Sequence, residues 1–167
     1  VTPGGCMDLK SFLIANSIVG NNLEEGVLEF AYQGPLLKLI EGETKISITG
    51  NVIFQIIRAN NEKIKGECFR SYNLIKGDQL DIMATRNSAY GYLAVEGGFV
   101  LKPFLKSVST LAKAQIGPNN GKKIEITDKI IFKRKIKNKK NFLAKVKEKK
   151  NNIIRVLKGP QYEYFNK

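Results

Sequence analysis

From Asp8 onward the apolar positions Phe12, Ala15 and Val19 recur on one helix face, and the run Leu9-Lys10-Ser11-Phe12-Leu13-Ile14-Ala15-Asn16 predicts a helix within the first 25 residues. Asp8 is a candidate cap, because a short carboxylate there accepts a backbone N–H that the first helical turn leaves free. Gly20-Asn21-Asn22 ends the pattern with residues that tolerate a left-handed backbone. Beyond this point the period drops towards two. Short apolar runs cover residues 27–32, 36–40, 45–49, 52–57, 69–75, 79–83 and 90–95, separated by Gly34-Pro35, Glu41-Gly42-Glu43, Gly50-Asn51 and Lys76-Gly77-Asp78. Six or more short strands at this spacing predict a mainly β domain from about residue 27 to 131, as a barrel or a sandwich. A second helical stretch is expected around Lys139–Lys149.

A length of 167 residues suits one domain, or one domain with an appendage. With 43% hydrophobic residues, 15 Gly and only 5 Pro, the composition is that of a folded chain. No apolar run approaches the ~20 residues of a membrane helix. Val1-Thr2-Pro3-Gly4-Gly5 has neither the basic start nor the apolar stretch of a secretory signal. Cys6 and Cys68 stand alone without CxxC spacing, so neither a zinc site nor a disulfide framework is suggested, and a reduced cytoplasm is the expected setting. The chain has no histidine, which removes Ser-His-Asp and Cys-His catalysis and any His-based metal site built from this chain alone. It also lacks a glycine-rich nucleotide loop and a GxSxG elbow, and Gly97-Gly98 reads as a turn.

The net charge of +13 is not spread evenly. Between Lys129 and Lys150 lie 11 Lys or Arg residues and one acid, Glu148, so this stretch carries +10 and leaves +3 for the other 145 residues. The body is therefore only mildly basic. The stretch reads either as a solvated connector or as a patch by which a small, non-enzymatic basic β module binds an acidic partner such as nucleic acid. Only Phe132 and Phe142 offer aromatic faces there for base stacking, which favours the connector and leaves nucleic-acid contact non-specific.

Several phrases, in order along nearly the whole chain, are similar to one family. Pro3-Gly4-Gly5-Cys6-Met7-Asp8 resembles a Ser-Gly-Ala-Met-Asp opening, and Ala15-Asn16-Ser17-Ile18-Val19-Gly20-Asn21 resembles Ala-Asn-x-Leu-Val-Gly-Asn. Leu28-Glu29, Gly34-Pro35-x-Leu37, Thr49-Gly50 and Gly77-Asp78-x-Leu80 follow. Tyr92-Leu93-Ala94-Val95-Glu96-Gly97-Gly98-Phe99 resembles Tyr-Leu-Ala-Val-x-Gly-Gly-Ile, and Leu105, Ser107, Ser109 and Thr110 fall on Leu-Gly-Ser-Arg-Ser-Thr. Ile154-Arg155-Val156-Leu157-Lys158-Gly159-Pro160-Gln161 resembles Ile-Arg-Val-Leu-Pro-Gly-Pro-Gln. These are the phrases of the family that joins the C component of 5-oxoprolinase to urea amidolyase-related proteins, also called allophanate hydrolase subunit 2, with biotin-dependent carboxyltransferase members. Three positions depart from it: Val108 replaces the arginine of Ser-Arg-Ser-Thr, Tyr90 replaces an arginine before Tyr-Leu-Ala-Val, and Glu163 stands where an aspartate follows Gly-Pro-Gln. Arginine is the usual two-pronged clamp for a carboxylate, and neither Val nor Tyr supplies its charge, so if the family's arginines hold an anionic substrate, this chain is expected to bind it poorly.

The resemblance implies a mainly β fold, a cyclophilin-like closed β-barrel lobe with a short N-terminal helix. Residues 1–132 would form a first carboxyltransferase-like lobe with a shortened N-terminus, 133–150 a basic connector, and 151–167 the start of a truncated second lobe. The chain then reads as about half of a family member. In function it implies the C-type component of an ATP-dependent 5-oxoprolinase, which opens 5-oxoproline to L-glutamate, or a biotin-dependent carboxyltransferase acting on a small amide. The A-type and B-type components of the 5-oxoprolinase complex are the implied partners. No cofactor or metal is assigned to this chain; ATP would be handled by a partner, and biotin would enter in the carboxyltransferase case. Asp8, Asn16, Ser109 and Thr110 are the candidate substrate-facing residues, with no residue assigned to catalysis. Each has a structural alternative: a helix cap for Asp8, a buried amide for Asn16, turn or cap roles for Ser109 and Thr110. Glu29 and Asp78, beside strand ends, read as structural.

Overall fold

The computed structural model describes residues 4–133, 140–146, 157–160 and 162–164, and in it Asp8 and Gly20 bracket helix α1 (Leu9–Val19). The Asp8 carboxylate accepts the Ser11 N–H at 3.1 Å. At the other end Gly20 takes φ 76°, its N–H reaches the Ser17 carbonyl at 3.1 Å, and Asn21 N–H reaches the Asn16 carbonyl at 3.0 Å. That pair of bonds is a Schellman cap, which needs a residue free to turn left-handed at the position Gly20 holds.

Eight strands follow among the described residues: β1 (Leu28–Ala31), β2 (Leu36–Lys38), β3 (Glu43–Thr49), β4 (Val52–Ile57), β5 (Lys63–Lys65), β6 (Arg70–Ile75), β7 (Gln79–Thr85) and β8 (Tyr90–Val95). All pair antiparallel, in two four-stranded sheets of order β1-β8-β3-β6 and β2-β7-β4-β5. Seven of them fall on the expected apolar runs; β5 was not expected. No ladder joins the sheets among the described residues, so the pairings describe two layers and not a closed barrel. The strands also stop at Val95, well before 131. Residues 96–131 are irregular, crossed by isolated bridges at Phe99–Phe132, Phe104–Ser107 and Leu111–Ile116.

The core lies between the layers. Phe30, Ile46, Ile48, Leu74, Leu93 and Val95 of the first sheet meet Val52, Phe54, Ile56, Leu80 and Ile82 of the second. The first sheet buries its other face too, because α1 lies across β3 and β8 and forms a smaller core of Ala15, Val19, Tyr92 and Ala94. This explains why β3 is buried from Thr44 through Thr49 although its residues alternate in polarity. The Ser47 hydroxyl donates to the Ala15 carbonyl at 2.7 Å and the Thr49 hydroxyl to the Ser11 carbonyl at 2.8 Å, so the polar side of the strand binds the helix.

Of the expected basic connector, Lys133 and residues 140–146 are described, all exposed or half-buried; 134–139 and 147–156 lie outside the described residues. The expected helix around 139–149 is not found in residues 140–146, which run extended with Leu143 bridging Arg70. A lysine-rich segment has adequate helix propensity, but the open edge of β6 offers backbone partners that outweigh it.

Candidate functional site

The start of α1 is pinned to the first sheet by two strand residues. Met7 N–H donates to the Glu29 carboxylate of β1 at 2.8 Å, and Asp8 N–H donates to the Tyr92 hydroxyl of β8 at 2.7 Å. Tyr92 is completely buried, and burial pushes its phenol well above the usual range; the Asp8 N–H opposes this shift and the Glu29 carboxylate adds to it. Burial also raises the thiols of Cys6 and Cys68, so neither is poised as a thiolate at neutral pH.

A raised folded pKa means the fold prefers neutral Tyr92. Its contribution is intact below the unfolded tyrosine pKa of about 10 and is lost as pH rises above it. The urea midpoint is therefore expected to fall above about pH 10, and Tyr92→Phe should flatten that decline. An unchanged slope in the variant would show that another group controls it.

Asn16 sits two helical turns further on, roughly 12 Å from Asp8 at ~1.5 Å per residue. It is fully buried. Its Nδ2 donates to the carbonyls of Leu23 at 3.2 Å and Glu25 at 2.8 Å, and its Oδ1 accepts from Asn21 Nδ2 at 3.1 Å. Asn21 passes the network on, donating to the Val95 carbonyl at 2.8 Å and accepting the Gly97 N–H at 2.7 Å. The Asn16 amide thus ties the end of α1 to the exit of β8.

Ser109 and Thr110 lie in the irregular segment after β8. Ser109 N–H donates to the Ser107 hydroxyl at 3.2 Å, and the Ser109 Cβ is 3.7 Å from where a Cβ on Gly4 would stand. Ser109 is half-buried and Thr110 exposed. Leu105 and Lys106 just before them are left-handed, with φ 46° and 65°. The fold therefore brings Ser109 beside Gly4, in the segment that leads into α1, sets Thr110 beside Gly117, and leaves Asn16 in its own buried network. A shallow cavity of about 450 Å³ lies between residues 100–104 and 115–120, with Lys102, Gln115 and Asn119 in its wall; none of the four candidates lines it.

Val108 and Tyr90, the two positions expected to depart from the family's arginines, both make apolar contacts. A Cβ on Gly26 would stand 3.1 Å from Val108 Cγ2 and 2.7 Å from Leu101 Cδ1, so Val108 fills an apolar contact against the chain entering β1. Tyr90 packs beside the small core under α1. Sequence reasoning missed the pairing of Glu29 and Tyr92 on the helix start. Its only signal is that Tyr92 shares a strand face with Ala94, the face that α1 covers.

The model of the family described as carboxyltransferase domain, subdomain A and B, matches residues 1–167. The chain is 33% identical over 128 residues to urea amidolyase of Lachancea kluyveri, covering 77% of this chain and 7% of that protein. It is 26% identical over 165 residues to the C component of 5-oxoprolinase of Escherichia coli (strain K12), covering 98% of this chain and 51% of that one. The crystal structure of Kluyveromyces lactis urea carboxylase superposes with a TM-score of 0.70 at 31% identity, over 78% of this chain and 11% of that one. The chain spans about half the length of the 5-oxoprolinase relative and a small part of the other two proteins.

Proposed function

The chain belongs to the carboxyltransferase domain family, subdomains A and B, and from that premise we propose that it is a cyclophilin-like lobe of a cytoplasmic, C-type component of an ATP-dependent 5-oxoprolinase, or of a biotin-dependent carboxyltransferase acting on a small amide. The observation that carries this reading is the match of the family model over residues 1–167, supported by the relative named as the C component of 5-oxoprolinase. In this reading the lobe works with A-type and B-type partner proteins. ATP does not fit the start of α1, where the Asp8 carboxylate already caps the helix and would repel a phosphate. As the family resemblance implies, ATP would be handled by a partner, and biotin would enter in the carboxyltransferase case.

An amide carbonyl under attack needs hydrogen-bond donors aimed at the charge that develops on its oxygen. Among the four candidates, Ser109 and Thr110 suit this role better than Asn16, whose amide is sealed and engaged, or Asp8, whose carboxylate serves Ser11. The purified chain alone is expected to show no turnover of 5-oxoproline with ATP above a no-enzyme control. Addition of the A-type and B-type partners should produce 5-oxoproline-dependent ATP hydrolysis. Thr110→Ala should lower that turnover by about a hundredfold, the size of a lost donor, with an unchanged urea midpoint. Failure of the reconstituted mixture to act on 5-oxoproline would overturn the 5-oxoprolinase reading in favour of the carboxyltransferase one, and turnover by the chain alone would overturn the need for partners.

A further inference from the structure

Two sheets have four edges, and three of them carry features that discourage pairing with another chain. β1 has four residues, β2 has three and follows Gly34-Pro35, and β5 is a three-residue strand with Lys63 and Lys65 at its ends. β6 is different: six residues long, with Arg70 its single charge. Several of its outward backbone groups are nevertheless occupied. The Asn73 carbonyl accepts from Arg58 Nη1 at 2.9 Å, and the Ile75 N–H donates to the Asp78 carboxylate at 3.0 Å. The Phe69–Ser71 end is filled by the basic stretch. Ser71 N–H donates to the Phe142 carbonyl at 2.9 Å, Ala144 N–H donates to the Phe69 carbonyl at 2.8 Å, and Phe142 N–H donates to the Ser71 hydroxyl at 2.7 Å.

The same contact covers a lysine. Lys45 of β3 is only 2% exposed, and the Phe142 ring lies over its ammonium at 5.6 Å. Phe142 and Leu143 are themselves 49% and 57% exposed, so deep apolar burial does not hold this segment in place. Backbone pairing and the ring over Lys45 do.

We propose that the Phe69–Ser71 edge of β6 is a strand-addition site. It takes an extended segment that places an aromatic ring over Lys45, and residues 140–146 of the same chain are its resident occupant. Main-chain bonds supply the attachment and the ring-on-ammonium contact supplies the selectivity, the division of labour seen wherever a peptide adds to a sheet edge. This gives the lysine-rich stretch a role apart from polyanion binding, and it does not depend on which reaction the lobe serves.

The test is amine acetylation of the full chain, read by mass spectrometry at Lys45 against exposed Lys63. Ala144→Pro removes the N–H that reaches Phe69 and is expected to raise Lys45 labelling about tenfold, as local opening does for any protected group. A synthetic peptide with the sequence of residues 139–147, added in excess, should restore protection, whereas the same peptide with alanine for Phe142 should not. Slow alkylation of Cys68 confirms that the variant is folded; should Cys68 become reactive, Phe142→Ala replaces it, since that ring is half-exposed and outside both cores. Unchanged Lys45 labelling in a folded variant overturns the cover. Increased labelling that the peptide does not reverse, or that both peptides reverse equally, overturns the strand-addition site or its aromatic selectivity.

Discussion

Asp78→Ala is expected to lower the unfolding free energy by about 3 kcal/mol, because it strips the acceptor from a charged network held at the end of β6. Asp78 is 1% exposed and accepts from three donors: the Arg58 guanidinium at 2.6 Å, Ala59 N–H at 3.1 Å and Ile75 N–H at 3.0 Å. Alanine leaves both backbone donors without that acceptor and leaves Arg58 without its counter-charge. The Arg58 side chain is 27% exposed and can recover some hydration, which places the expected loss at the lower end of the range for broken buried pairs. Asp78→Asn keeps one acceptor oxygen and should cost about half as much. Urea denaturation of the three proteins gives the comparison. A loss below about 1 kcal/mol for alanine would mean the network is a surface pair in energetic terms.

The second large effect is a coupling. Phe54 is 1% exposed in the core and meets Tyr72 edge-on, with ring centroids 5.9 Å apart and planes at 86°. Its ring also lies on Gly66, where an added Cβ would come within 2.0 Å of Phe54 Cε2 and 2.2 Å of Cζ. Phe54→Ala should cost about 4 kcal/mol through lost burial and the cavity left behind. Gly66→Ala should cost about 2–3 kcal/mol, since a ring packed on all sides cannot move away. In the double variant the clash is gone, and the total should fall short of the sum by about 1–2 kcal/mol. Strict additivity in the unfolding free energies would show that the strain at Gly66 comes from its backbone and not from the ring.

How much of this was legible in the sequence depends on whether local chemistry or tertiary pairing decides each element. Asp8 and Gly20 are local signals, and α1 begins and ends where they place it. The seven expected strands are long enough, or apolar enough, for period two to show. β5 escaped because Lys63-Ile64-Lys65 has a single apolar residue, and it is a strand only because β4 presents partners to it. Residues 140–146 escaped for the same reason, with the β6 edge in place of β4. At the candidate site, Asn16 illustrates a further limit. A fully buried amide in a helix has the same sequence whether it faces a ligand or, as here, the carbonyls of Leu23 and Glu25. Ser109 and Thr110 could be placed only once the fold had brought their loop against Gly4.

The strand order β1-β8-β3-β6 also sets a timetable for synthesis. β8 is the last made of the described strands, yet it sits between β1 and β3 and supplies Tyr92 and Ala94 to the seat of α1. A ribosome that has finished β1 must add about 60 residues before β8 exists, on the order of 3–12 s at about 5–20 residues per second. Through that interval α1 and β1 have emerged without their central partner, and their apolar faces are open to any chaperone that binds nascent chains. The N-terminal third of this lobe cannot fold ahead of the rest, so its commitment to structure comes in one step, when Tyr90–Val95 clears the exit tunnel.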